Sequence, residues 1–442
     1  MVEILNIILQ FFIFLLIFSF PFCIYKNKIF LLPNSFLLEG IYLKIGLNLL
    51  THLFAILFIS FLNIKLNTYF YLVISLSIIS NFIFLISKDK FEITTNKSII
   101  FVFFILVNIG LFLKISIDLK LEWDALNHWF PKTLLFFEEI KISNLKDLGF
   151  SQYPHLGPFV WAFFWKNSFL QYEYFGRLFY VFFYVTSLFS ILENSFEKNN
   201  LFKIIIIFLL TILTYDLFLF GGYQEYLIFS LLLILSKCFF EIRFNSNNSA
   251  KNIFFYFYII TIFHVLIWFK DEGIFYYIFI FITFIYFSNL KNKNLLSLFC
   301  IFYIFLQYFL QKFLIGSYGF QAQIIHEGLI DNFNPKIFIN KFLFITKYIL
   351  ISSLKYKLWI INLFSLIVLY FFYKDIFLKL KLWVYIFFIN IIFIYAIYFQ
   401  TPYYSEFLLR VTLDRVMFHT SGFYIIFTIA VLDRIFTSED KL

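Results

Sequence analysis

Apolar runs of about twenty residues, the length a helix needs to cross hydrocarbon, follow one another along almost the whole chain. They fall near 4–25, 37–62, 69–87, 98–118, 174–193, 203–220, 223–240, 252–269, 274–288, 295–315, 358–373, 382–400 and 417–436. The 442 residues are 62% hydrophobic and only 14% charged, against about 45–50% and about 25% in soluble domains. No soluble fold of this length hides so much apolar surface, so lipid must cover it. In lipid only helices and closed barrels satisfy their own backbone groups, and unbroken rather than alternating runs select helices. The expected fold class is an all-α polytopic membrane protein with about thirteen transmembrane helices. The opening MVEILNIILQFFIFLLIF lacks a basic leader and a small-residue cleavage site. It reads as an uncleaved first span.

Orientation follows from the basic residues of the short loops. Lys26/Lys28, Lys88/Lys90/Lys97, Lys198/Lys203, Arg243/Lys251, Lys291/Lys293 and Lys374/Lys379/Lys381 share one side if spans alternate, and that side is assigned to the cytoplasm. The opposite short loops hold little: Lys65, then Gly221-Gly222, then Lys270. The polar stretches 119–173 and 316–357 and the loop 401–416 then face outward. This alternation requires 341–356 to be interfacial or re-entrant. Residues 1–97 supply membrane helices without a motif, and 98–442 form a core that holds every candidate below.

The net charge of +9 is partly lysine bias, in keeping with 74 Phe and abundant Ile and Asn. No basic helix or aromatic-interleaved patch stands outside the membrane, so no nucleic-acid partner is expected. Cys23, Cys238 and Cys300 lie in apolar runs without metal-ligand spacing and read as small hydrophobes.

The first outward loop is the most informative region. Ala125–Ile140 reads as a short amphipathic helix, with Trp123 and Trp129 suited to the headgroup level. The Tyr153–Pro158 stretch breaks regular structure and leads to Phe159–Trp165, too short to span. The whole loop is expected along the outer membrane surface. Asp124 follows a membrane-exit point, one helical turn before His128. A carboxyl group desolvated there rises in pKa toward the range of a general base. A solvated carboxylate or a helix N-cap is the plain structural alternative, and the same two readings hold for Glu122. Asp124 and His128 at i, i+4 can share a helical face, yet two ligands do not make a metal site. A divalent metal is a lesser alternative there, and no cofactor is implied.

Three clusters flank other outer helix ends: Gly221–Glu225, Lys270–Gly273 and Leu413–Arg415. Short hairpins need glycine and polar caps, which explains each alone. Their placement on the side of Asp124 is what draws attention. Arg415 offers a planar fork that can hold two phosphate oxygens. Snorkelling or pairing with Asp414 is its structural alternative.

WDALNHWFPK, then YPHLGPFVWAFFW, then EYFGRLFYV together resemble the first outward loop of the membrane glycosyltransferases of the GT-C fold. The closer likeness is to their bacterial branch, related to protein mannosyltransferases and the lipid A aminoarabinose transferase. Further correspondences are Arg177-Leu178, Gly222–Leu227, Lys270–Gly273 and Asp414–Val416, in the family's order. Two departures stand out: His155 replaces the second proline of a "Y-P-P" motif, and Asn127-His128 stands where the family shows "Y-H". The resemblance implies a GT-C-like core and a polyprenyl-phosphate sugar as donor, with a lipid, glycan or protein acceptor left undefined. It implies a bacterial inner-membrane enzyme acting on the periplasmic or exterior face.

In that family the loop aspartate, here Asp124, is the expected catalytic base. Glu122, His128, Tyr153, His155, Arg177, Glu225, Lys270, Glu272 and Arg415 are the expected substrate contacts. A phosphate leaves without protonation, so one carboxylate suffices to take the acceptor's proton, unlike the carboxyl pair of hydrolases. A fixed cation would meet the charge growing on that phosphate, with Arg415 first, then Lys270 and Arg177. Asp124 and Arg415 are expected to line a common headgroup cleft. Two other readings are kept: a transporter or flippase of a lipid-linked substrate, and an O-antigen polymerase or ligase.

Overall fold

The computed structural model describes residues 2–23, 40–62, 64–86, 95–149, 153–193, 200–215, 220–245, 249–270, 272–287, 293–315, 335–400 and 412–439. Helix occupies the body of every apolar run, and no strand occurs among the described residues. Among the described residues six helices are long and apolar enough to cross a membrane: Ile41–Leu62, Leu66–Ile83, Ser98–Ile117, Glu173–Leu192, Lys251–Phe269 and Asp414–Ile435. A seventh crossing arises if Phe338–Lys355 and Lys357–Phe372, bent by 99°, form one span. Shorter apolar helices fill the other runs, among them Glu3–Ile17, Asn200–Thr214 and Lys381–Ala396.

The chain forms two compact units, Met1–Asp271 and Glu272–Leu442. Compactness therefore divides it elsewhere than motif content does. The motif-free N-terminal helices α1 (Val2–Ile17), α2 (Ile41–Leu62) and α3 (Leu66–Ile86) belong to the first unit together with α4 (Thr95–Ile117).

The centre of the first unit is α7 (Glu173–Leu192), every residue of whose apolar window is buried. It packs against α2, α4, α6 (Leu156–Lys166) and α9 (Glu225–Phe240). Aromatic rings fill this centre: Phe164 stacks on Phe179 at 4.5 Å, and Phe14 meets Phe164 edge-on at 5.2 Å. By contrast, only 22% of the windows of α3 and of α4 is buried. Exposed Val102 and Leu106 on α4 and Leu72 and Ile79 on α3 suit acyl chains.

Polar contacts gather the helix ends of this unit into two sets. At one end Tyr174 Oη donates to Glu3 at 2.7 Å, the Glu122 N–H bonds the Gly221 carbonyl at 3.1 Å, and Lys270 pairs with Glu225 at 2.9 Å. At the other, the Glu193 carboxylate accepts the N–H groups of Tyr42 and Leu43 at 2.8 and 3.0 Å, capping α2. Lys237 donates to the Glu193 carbonyl and pairs with Glu241 at 3.1 Å, and Glu241 faces Lys251 at 3.5 Å. The loops expected outward in this unit share the first end. Of the lysines expected inward, Lys26, Lys28, Lys88, Lys90, Lys198 and Lys291 lie outside the described residues.

The first long loop departs from a surface layer. After a π-helical turn at Ala125–Trp129 comes α5 (Phe130–Phe137), followed by a short 3-10 turn and then α6. Leu156–Trp165 are all buried, packed between α5 and α7. Two tryptophans and three phenylalanines within Phe159–Trp165 leave this part of α6 no polar face to turn outward, so it enters the core.

In the second unit, α15 (Lys357–Phe372) and α18 (Asp414–Glu439) pack along a buried polar seam. Thr428 Oγ1 donates to Asn362 Oδ1 at 2.8 Å, and Asn362 Nδ2 donates to the Ser421 carbonyl at 3.1 Å. Such bonds join helices where apolar surface gives no preference for protein over lipid. The preceding helix α14 (Pro335–Lys355) buries several of its polar side chains and exposes several large apolar ones. Lys341, Tyr348, Ser352 and Ser353 are buried, while Ile339, Phe342, Leu343, Leu350 and Leu354 are exposed. The 99° bend that follows α14 is that of a broken span or of a re-entrant loop, and the second of these is one of the two forms expected for 341–356. Of the other expected outward loops, 316–334 and 401–411 lie outside the described residues.

Candidate active site

The site is built from the loop that joins α4 to α7. Arg177, wholly buried on the first turns of α7, holds it down. Its Nε and Nη2 donate to the Glu173 carboxylate at 2.8 and 2.9 Å. Nη2 also reaches the Leu119 carbonyl and Nη1 the Phe220 carbonyl, both at 3.3 Å. One guanidinium thus fixes the start of the loop and the hairpin before α9. The hairpin lies flat on the loop because Gly222 has no side chain. Its φ is +96°, and a Cβ would stand 2.8 Å from the Ala125 Cβ and from the Trp161 ring.

On this base the helix starting at Trp123 presents Asp124. No capping hydrogen bond comes from the Asp124 side chain, so the N-cap alternative does not describe it. The carboxylate is 19% exposed, and His128 Nε2 lies 4.0 Å from Oδ1. The intervening turn is π-helical, a wider turn that recurs at functional sites because it re-aims side chains. The His128 ring is flanked by Trp123 at 5.4 Å and Tyr153 at 5.5 Å. Lys132, one turn further along the same face, donates to the Tyr153 carbonyl at 2.8 Å and sits 5.8 Å from the Trp129 ring centre. Glu122 stays at the rim, 3.2 Å from Lys120.

His155 occupies a different place from the one expected of a substrate contact. It is completely buried, edge-on to Trp268 at 5.3 Å. Ser60 Oγ donates to the Leu57 carbonyl at 2.6 Å and so accepts from His155 Nε2 at 2.9 Å. The proton is then on Nε2, leaving Nδ1 as a buried acceptor with no hydrogen-bond partner. Burial, and secondly the Lys132 charge, push this imidazole down to about 3. It is a neutral core histidine.

Glu225 and Lys270 form a buried ion pair at 2.9 Å between the N-terminal end of α9 and the C-terminal end of α10 (Ser249–Phe269). The fixed charge of each has a protein counterpart, as with Arg177 and Glu173. Asp124, Glu122, His128, Tyr153, Arg177, Glu225 and Lys270 therefore share one end of the first unit.

Glu272 and Arg415 belong to the second unit. Glu272 opens the helix that begins there, and Arg415 is mostly buried in the first turn of α18. The Asp414 carboxylate accepts from Ser352 Oγ at 2.5 Å and Lys355 Nζ at 2.6 Å, tying α18 to the bend after α14. Asp271 lies outside the described residues.

The sequence pattern assigns no role to Lys132, Glu173, Ser60 or Gln224. Lys132 was within reach, since 124, 128 and 132 repeat at i, i+4, and so was Glu173, four residues before Arg177. Ser60 and Gln224 meet their partners from distant segments, and no local spacing marks them. Gln224 packs so close to Gly157 that a Cβ there would stand 1.8 Å from its Oε1. Among the described residues no group of three or more His, Cys, Asp or Glu side chains is placed to hold a metal ion. Comparison with family models, curated proteins and solved structures finds no match for this chain.

Proposed function

We propose that this protein is a membrane glycosyltransferase that moves a sugar from a polyprenyl-phosphate donor to an acceptor hydroxyl or amine, with Asp124 as the base. On this reading about thirteen helices span the bilayer in a GT-C-like arrangement, and the site faces outward from a bacterial inner membrane. One observation carries it. Segments scattered from 119 to 270 meet at one end of the first unit, the end that also holds a partly exposed carboxylate. A lipid donor fits such a site, since its tail dissolves in the bilayer and only the head needs protein contacts.

The chemistry asks little more of the carboxylate than position. Asp124 takes the acceptor's proton as the oxygen or nitrogen attacks the anomeric carbon. The bond to the phosphate breaks on the opposite side, and the phosphate departs as an anion, so the configuration inverts. His128, 4.0 Å from Asp124, can orient the carboxylate or bond the sugar. Arg177 and Lys270 serve the scaffold in this scheme, because each already holds a glutamate.

The test is transfer from radiolabelled polyprenyl-phosphate sugars in proteoliposomes. Asp124→Asn keeps the shape and removes the base, and should lower turnover about 10²- to 10⁴-fold with unchanged expression. Near-normal turnover in that variant would remove Asp124 from the mechanism. A transporter is the second reading, favoured by the 99° break at 355–357 and the Lys355–Asp414 pair beside it. It predicts counterflow of a lipid-linked substrate with no bond broken.

A further inference from the structure

We infer that Trp123 is the plate on which the donor's sugar ring stacks, an assignment that rests on the glycosyl-transfer reading above. Trp123 is 63% exposed, while Ala125 and Trp129 on the same helix are buried. The His128 ring stands 5.4 Å away at 82° to the indole, and Asn127 Nδ2 donates to the Trp123 carbonyl at 2.7 Å. The indole thus meets the His128 ring and is otherwise largely exposed. Its next neighbour in the chain is Asp124, whose side chain also keeps an opening to the outside.

A pyranose presents a face of C–H bonds inside a perimeter of hydroxyl groups. It needs an apolar plate with hydrogen-bonding groups at the edge. The indole face carries the negative lobe of its quadrupole, which attracts polarised C–H bonds. The His128 ring beside it, and the Asp124 carboxylate 4.0 Å from that ring, supply a donor or acceptor and an acceptor. The order of an in-line displacement places the donor sugar here. The base sits on the attacking side, the anomeric carbon comes next, and the phosphate and its lipid lie beyond. A plate adjoining the base therefore meets the ring rather than the tail. The company of Trp123 agrees, since Lys120, Glu122, Asp124 and Asn127 surround it in sequence, and Glu122 with Lys120 keeps an ion pair at 3.2 Å. Carboxylates so close make immersion of this indole among acyl chains costly.

Binding to the Asp124→Asn protein in nanodiscs separates the outcomes, because it can hold donor without turning it over. Two probes are compared: a short polyprenyl phosphate, and a set of the same lipid phosphates carrying different hexoses. The expected result is tighter binding of at least one sugar-bearing lipid than of the bare phosphate. Adding Trp123→Ala should reduce that preference about five- to tenfold and leave the bare phosphate unchanged. Trp123→Phe, which keeps a ring, should retain most of it and serves if the alanine variant folds poorly. A preference that survives in Trp123→Ala overturns the plate while leaving the transferase reading intact. Equal weakening of both probes also overturns it and marks Trp123 as an interfacial anchor. If no sugar-bearing lipid outbinds the bare phosphate, the glycosyl-transfer reading itself fails, and the plate with it.

Discussion

Arg177→Met tests whether this guanidinium is a scaffold clamp or a ligand for phosphate. The variant keeps the length of the side chain but deletes four charge-assisted hydrogen bonds, two to Glu173 and one each to Leu119 and Phe220. Removing one partner of a buried ion pair costs about 3–5 kcal/mol, chiefly because the other charge stays behind unpaired. Glu173 is 20% exposed and lies in the first turn of α7, where the helix dipole offsets about 0.3–1 kcal/mol of that cost. A loss of about 2–3 kcal/mol is therefore expected, at or just below the low end of that range. Glu173→Gln combined with Arg177→Met removes both charges and should recover most of it. Equilibrium unfolding by SDS in mixed micelles, run as a double-mutant cycle, gives the coupling directly. A single variant as stable as the wild type, or strictly additive losses, would refute the clamp. A double variant that unfolds normally yet no longer binds bare polyprenyl phosphate would restore Arg177 as a phosphate ligand.

Two further outcomes follow from the core beneath the site. His155 has a folded-state value of about 3 against an ordinary 6.5, so the unfolded chain binds the extra proton between those limits. Its contribution should be intact above pH 6.5 and fall as pH drops toward 3, by up to about 1.4 kcal/mol per unit. His155→Phe should flatten that acid limb in unfolding curves measured from pH 7 to 4, and an unchanged slope would contradict the buried neutral ring. Gly176→Ala would place a Cβ 2.5 Å from the Trp161 carbonyl oxygen and 2.4 Å from its ring. Because a backbone atom must move, a loss of about 1–3 kcal/mol is expected in the same SDS titration, and a neutral result would mean that α6 and α7 sit further apart.

The local pattern of residues was enough to determine the helical class, the places where helices run, and the candidacy of Asp124. Each depends on neighbours in the chain: hydrophobic length sets a helix in lipid, and spacing at i, i+4 puts Asp124, His128 and Lys132 on one face. Tertiary structure alone decided which charges were available and which were already engaged. Arg177, Lys270 and His155 looked alike as polar groups near an outer helix end, but their partners come from elsewhere. Arg177 reaches the Leu119 and Phe220 carbonyls, Lys270 meets Glu225, and His155 reaches Ser60. Those contacts span 43 to 95 positions, and no rule of helical periodicity links residues so far apart. The burial of α6 was hidden for a related reason: an aromatic run too short to span suits a membrane surface and a protein core equally, and only packing against α5 and α7 separates them.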